Sequence, residues 1–307
     1  MEVSRRGFMH VSVVAGAAAL AGQRTGAEEG ERVRDRLWIW AHHPGVYDGM
    51  FGLPRDSRIT PVDATEYLGT PNMMFIRAAG KPEYPFEEYA AAFKDVKNLQ
   101  WSITGSAGAT SSEEREHVLK LAAAMPNITG LYMDDFFNFA RKGQEAAMTL
   151  DEVRAIRERM TLDGRRLDLG IVIYTAAMSD DRMRPYLELC DAISLWSWSA
   201  SELEAIEPNF ARLAGIAAGK RLQMGCYMWD YGPRQPMPIE RIERQCTLGL
   251  QWLREGRIGD MIFCGAHLCD QGLDAVEWTR NWIASVGDEP LHPLEQWSSR
   301  GSHQSRG

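Results

Sequence analysis

The chain has 307 residues, 45% of them hydrophobic and 25% charged, with 42 acidic against 34 basic side chains and a net charge of −8. That length suits one large α/β domain, and the acidic balance argues against nucleic acid or an anionic membrane surface as a partner. The five cysteines (Cys190, Cys226, Cys246, Cys264 and Cys269) are odd in number and form no CxxC pair, so they read as buried thiols rather than a disulfide framework or a zinc site, a Cys264–Cys269 bridge being the alternative.

In chain order, the first segment is "MEVSRRGFMHVSVVAGAAALAGQRTGAEEG". Arg5 and Arg6 precede an alanine-rich run, Val11 to Ala21, that is too short and too weakly apolar for a membrane span of roughly 20 residues. "SRRGF", with Ser4, Arg5, Arg6 and Phe8, resembles the bacterial twin-arginine export signal. Met9 and His10 stand where that motif usually has Leu and Lys, and Thr25-Gly26-Ala27 offers small residues before a cut. The resemblance implies a protein folded before it meets the twin-arginine export machinery, then delivered to the periplasm or beyond. Removing residues 1–27 takes away Arg5, Arg6 and Arg24 against Glu2, so 34 basic and 42 acidic side chains become 31 and 41, a net charge of −10. Residues 28–290 are expected to form the folded domain, and 291–307, polar and aperiodic, a frayed tail.

Short apolar runs then alternate with amphipathic stretches. Strands are predicted at 36–43, 72–78, 99–105, 128–135, 167–175, 191–198, 221–229 and 260–267, each apolar enough for a parallel sheet covered on both faces. Between them lie segments with helix signals. Thr60-Pro61 opens the first, 85–96 is the second, and Ser111 with early acids opens a third that stops at Pro126. Segments 149–160, 179–189, 199–217, 238–257 and 273–286 follow. Eight strands alternating with eight helices predict a (β/α)8 TIM barrel. An open doubly wound sheet is the runner-up, but "AHHPGVYDG" after the first strand lacks the G-x-G-x-x-G spacing of a phosphate loop.

A barrel builds its site at the carboxyl ends of its strands. The first strand delivers His42, His43, Tyr47 and Asp48 there, the second Arg77, the third Thr104 and Ser106, the fourth Asp134 and Asp135. The later strands deliver Tyr174, then Trp196 and Trp198, then Trp229, Asp230 and Tyr231, and finally His267 and Asp270. An uncompensated carboxylate at the end of a buried strand costs several kcal/mol, so Asp134 and Asp135 call for a partner or a use. Successive strand residues face opposite ways, so one of the two should face the mouth and the other the helix layer, where it caps a helix or pairs with a base such as Arg141. Asp135, further along, is the expected mouth residue. Asp134, Asp135 and Asp230 are the candidate catalytic groups. His42, His43, Arg77, Trp196, Trp198, Trp229, Tyr231, His267 and Asp270 are candidates to bind substrate, the tryptophans by offering flat faces on which sugar rings stack.

"LYMDDFF", 131–137, looks like the acid-bearing fourth strand of several barrel glycoside hydrolases, including those with an aspartate nucleophile on that strand. The chain departs from other glycosidase patterns: strand four has no Asn-Glu pair, and the chitinase-type D-x-x-D-x-D-x-E run is absent. The resemblance implies an oligosaccharide substrate, a pair of carboxylates as acid and nucleophile or base, and no cofactor. Two other readings remain open. One is a metal-dependent barrel hydrolase, lyase or sugar isomerase, with His42 or His43, Asp135, Asp230 and His267 as ligands to a divalent metal, although no H-x-H or H-E-x-x-H spacing is present. The other is a barrel that binds saccharide without turnover.

Overall fold

The structure, a computed structural model, describes residues 30–178 and 181–291. The expected export segment and nearly all of the expected C-terminal tail fall outside the described residues.

Eight strands form the barrel: β1 (Leu37–Ala41), β2 (Asn72–Phe75), β3 (Asn98–Thr104), β4 (Ile128–Met133), β5 (Asp168–Tyr174), β6 (Ala192–Trp196), β7 (Arg221–Tyr227) and β8 (Asp260–Cys264). Each is parallel to its neighbours, and β1 pairs with both β2 and β8, so the sheet closes in chain order. Every predicted strand is present. They are buried on both faces because helices cover the outside: α1 (Pro61–Leu68), α2 (Glu87–Ala90), α3 (Ser112–Ala124), α4 (Leu150–Glu158), α5 (Arg184–Leu189), α6 (Ile206–Ile216), α7 (Ile239–Arg254) and α8 (Asp274–Val286). The fold is the (β/α)8 barrel. Among the described residues no helix is long and apolar enough to cross a membrane.

Local chemistry starts these helices where the sequence places them. The Thr60 side chain accepts from the Asp63 amide with Pro61 in the first turn, Ser111 accepts from the Glu114 amide, and Thr149 with Glu152 makes a reciprocal capping box. The second helix is shorter than the apolar pattern over 85–96 suggests, and Ala91–Phe93 continues it as a 3-10 turn. All five cysteines are buried and free, so the bridge between Cys264 and Cys269 does not form. Burial pushes their thiols up, Cys190 to about 12.

Alternate residues of each strand fill the barrel in layers. Near the amino ends of the strands the layer is polar and joined up: Trp38 Nε1 donates to Asp260 Oδ1 at 3.0 Å, Gln223 Nε2 to Asp260 Oδ2 at 2.9 Å, and Tyr132 Oη to Gln223 Oε1 at 3.0 Å. Above it lies an aromatic layer in which Trp40 meets Trp196 and Tyr132 edge-on, ring centroids 5.2 and 5.6 Å apart. Two glycines make that layer possible. A Cβ on Gly170 would sit 2.2 Å from the Tyr132 ring, and one on Gly225 2.1 Å from the Trp196 ring. The plug fills the barrel from below and floors a cavity at the carboxyl ends.

Candidate active site

The cavity above the plug has a volume of about 300 Å3. This is the low end of the roughly 300–1,000 Å3 range of small-molecule sites. Its floor is Trp40 and Trp196, its walls include Val172, Tyr174, Tyr227 and Cys264, and Tyr47, Met50 and Phe51 reach over it from the long loop after β1. Met50, 44% exposed, and Trp198, 38% exposed, are the exposed large hydrophobic residues among those described, and both stand on the rim of this cavity.

Asp134 and Asp135 both line the cavity, which corrects the expectation that alternation sends one of them to the helix layer. Tyr132 points to the barrel axis, as its bond to Gln223 across the barrel requires, so Asp134, two residues on, points the same way. Asp135 should then face out. Its backbone instead turns into the left-handed region, at a φ of 44°, and swings the side chain back to the mouth. A non-glycine residue there stores on the order of 1–3 kcal/mol of strain. Two donors hold it: the Ala107 amide on Oδ2 and the Tyr174 hydroxyl on Oδ1, each at 2.7 Å. No ion pair joins either aspartate to Arg141 among the described residues.

The two carboxyls differ in setting. Asp134 is 5% exposed, and burial together with the charge of Asp135 raises its pKa well above the usual carboxylate range. Asp135 is half-buried and borders a second cavity of about 200 Å3, whose walls include Asn138, Arg141 and Gln144 of the loop after β4. Asp135 and Ala107 are common to both cavities.

Opposite the aspartates, the polar groups are neutral. Tyr47 Oη lies 3.0 Å from His42 Nε2 and 2.7 Å from Ser106 Oγ, and Tyr231 Oη lies 3.1 Å from His267 Nε2. Burial, reinforced by the neighbouring His267, pushes His42 well below the usual imidazole value, and burial brings His267 down to about 4 against the opposing effect of Asp270. Burial raises Tyr47, Tyr174, Tyr227 and Tyr231 well above 10, so they serve as hydroxyl donors and acceptors rather than phenolates. No lysine or arginine is among the residues lining this cavity.

Of the residues singled out in the sequence, the cavity gathers Asp134, Asp135, His42, Tyr47, Ser106, Tyr174, Trp196, Trp198 and Tyr231, with His267 behind Tyr231. The rest are engaged elsewhere. His43 stacks on Tyr89 at 5.2 Å and its Nδ1 donates to the Pro44 carbonyl. Arg77 is ion-paired to buried Glu114 at 2.8 Å and lies over the Tyr84 ring. Trp229 Nε1 donates to the Phe51 carbonyl, which braces the loop over the mouth. Asp230 accepts from the Ala200 amide at 3.0 Å, and Asp270 accepts from the amides of Arg58 and Ile59. Among the described residues no three His, Cys, Asp or Glu side chains are grouped to hold a metal, so the donors proposed for a metal centre do not converge.

The sequence reading passed over Trp40, Met50, Phe51 and Tyr227. Trp40 and Tyr227 could have been found by stepping two residues back from His42 and Trp229 along their strands; Met50 and Phe51 belong to a loop whose path carries no periodic signal.

No protein-family model matches the chain, and no curated protein matches it in sequence. Solved structures do match in fold. The chain is similar to the catalytic domain of a hyperthermophilic chitinase from Pyrococcus furiosus, with a TM-score of 0.56 at 10% identity over 87% of this chain and 99% of that one. It is similar also to the GH113 β-mannanase of Alicyclobacillus acidocaldarius, with a TM-score of 0.52 at 10% identity over 83% of this chain and 98% of that one. At such identities the likeness is one of fold.

Proposed function

We propose that the protein is a glycoside hydrolase that takes one sugar unit into the aromatic cavity and cleaves its bond to the group lying beyond Asp135. The observation that carries this reading is the pair Asp134–Asp135: two neighbouring carboxyls at the carboxyl end of β4, in a cavity floored by tryptophan, one buried at depth and the other held at the mouth by two donors. Glycosidic cleavage needs a proton for the leaving oxygen and a negative charge beside the developing oxocarbenium ion. The pair supplies two carboxyls for these roles: burial and the charge of Asp135 favour the neutral form of Asp134, and Tyr174 and the Ala107 amide hold Asp135 at the mouth. Asp135 borders both cavities, which suits it to meet the glycosidic oxygen. Asp134 lies at depth, against the sugar itself.

The aromatic surroundings support a saccharide. Trp198 on the rim and Trp196 in the floor give the cavity aromatic surface for a pyranose ring, and the neutral hydroxyls of Tyr47, Tyr227 and Tyr231 suit sugar hydroxyls better than they suit anions. A chitinase and a mannanase among the structural relatives agree with this assignment. The reading extends to export through the twin-arginine pathway, which would bring the enzyme to extracellular saccharide.

The test is a screen of 4-nitrophenyl glycosides and oligosaccharides with the wild type, Asp134→Asn and Asp135→Asn. Cleavage by the wild type that falls at least ~100-fold in each variant, the scale of a positioned acid or base, supports the assignment. Saccharide binding without cleavage at any pH would make the barrel a lectin-like binder instead, and activity abolished by chelator and restored by metal would replace this chemistry with a metal-dependent one.

A further inference from the structure

The hydrolase reading leaves one chemical role unfilled. Direct displacement with retention sets a carboxylate nucleophile about 5–5.5 Å from the acid across the anomeric carbon, and inversion sets a base about 6.5–9.5 Å away. Asp134 and Asp135 are consecutive residues that leave one strand end and interact electrostatically, so they present a single wall to the sugar. Among the described residues no other carboxylate lines this cavity. Other described acids that follow the barrel strands are engaged: Asp48 with Arg58 and the Ser57 amide, Glu202 with the Thr175 hydroxyl and the Trp198 amide, Asp230 and Asp270 with the amides named above. Cys264 does line the cavity, but burial pushes its thiol up and leaves it a poor nucleophile near neutral pH.

The geometry points to a substrate that carries the nucleophile itself: a 1,2-trans glycoside of a 2-acetamido sugar, its acetamido group resting on Asp134 and the aromatic floor and its leaving group passing Asp135 into the second cavity. This inference rests on the hydrolase reading. Asp134 is a buried acceptor beside apolar ring faces, which suits an amide N–H next to a methyl group. A donated N–H also favours the charged form of Asp134, and Asp135, which borders the second cavity, is the carboxyl placed beside the leaving group.

In the first step Asp135 gives its proton to the glycosidic oxygen, the C1–O bond breaks and the alcohol leaves. The acetamido carbonyl oxygen bonds to C1 from the opposite face, and Asp134 stabilises the N–H of the resulting oxazolinium ion. In the second, water attacks C1, its proton returns to Asp135, and the C1–O bond to the carbonyl breaks, restoring the acetamide with retained configuration. The reaction consumes one water and no other reactant.

The experiment compares 4-nitrophenyl β-glycosides of N-acetylglucosamine and N-acetylgalactosamine with their 2-hydroxy counterparts, and extends the better substrate to N-mono-, N-di- and N-trifluoroacetyl analogues. The expected result is a preference of at least ~100-fold in kcat/KM for the acetamido sugars, the scale on which a missing reacting group is felt, and a rate that falls stepwise as fluorine weakens the carbonyl. Cleavage of 2-hydroxy glycosides at comparable rates, a flat fluorine series, or covalent labelling of Asp135 by a 2-deoxy-2-fluoro glycoside would overturn the inference while leaving the hydrolase reading intact. Cleavage of neither class, nor of the oligosaccharides in the screen above, would overturn both. Asp134→Asn, checked for folding by its thermal transition, should lose activity on acetamido substrates and flatten the fluorine series.

Discussion

Asp134 is a cost to the folded state at neutral pH. Its folded pKa is raised by burial and by Asp135, so the stability linked to it is fully present below the unfolded value of 3.8 and is lost as pH rises through the folded value. Asp134→Asn keeps the shape and removes that loss. The variant should therefore melt at a higher temperature than the wild type at pH 8 and at nearly the same temperature at pH 3.5, while its turnover falls at least ~100-fold. Thermal scans at the two pH values check this, and a variant less stable at both would mark the carboxyl as a structural group. Trp198 acts differently. It stands on the rim at 38% exposure, so Trp198→Ala should raise KM for an oligosaccharide several-fold with little change in kcat, because a rim contact binds ground state and transition state alike.

At the scale of elements, the site is held by groups that never touch it. Gly225 on β7 leaves room for the Trp196 ring on β6; Gly225→Ala would place a methyl 2.1 Å from that ring and should cost about 1–3 kcal/mol, read as a lowered denaturation midpoint, together with activity as the cavity floor shifts. Arg77, at the end of β2, is the opposite case. Its ion pair with Glu114 of α3 is largely buried, with side chains 14% and 5% exposed, so Arg77→Ala leaves a carboxyl without its partner and should cost about 3–5 kcal/mol. If Arg77 bound an anionic substrate instead, the variant would keep its stability and lose KM. Urea unfolding beside steady-state kinetics separates the two.

For the whole molecule, acid sensitivity should come from the histidines. His267 is brought down to about 4 and His42 lies well below 6.5, so the folded state binds fewer protons than the unfolded chain, and stability present above pH 6.5 is lost as pH falls through those values. A shift of that size at His267 corresponds to roughly 3 kcal/mol. The melting temperature of His267→Gln should fall less steeply than that of the wild type between pH 6.5 and 4. The proposed export is tested at this scale too, since a twin-arginine substrate is folded before it crosses. Replacing Arg5 and Arg6 with lysine should leave the protein in the cytoplasm, and fractionation of cells producing each form decides it.

The sequence by itself determined the barrel and the end of it that matters. Eight doubly buried strands must be apolar throughout and their helices amphipathic, so both leave a local, periodic trace, and caps such as Thr60, Ser111 and Thr149 mark where helices begin. It also drew attention to Asp134 and Asp135, because charge at the end of an apolar run is conspicuous. Only the tertiary structure decided which candidates meet. Asp230, Asp270, Arg77 and His43 sit at strand ends as surely as His42 does, yet their partners come from loops and helices distant in the chain, and no pattern within a strand encodes a loop's path. Asp135 makes the point most sharply: alternation along β4 turns it outward, and a single left-handed backbone angle, held by Tyr174 of β5 and the Ala107 amide after β3, turns it back.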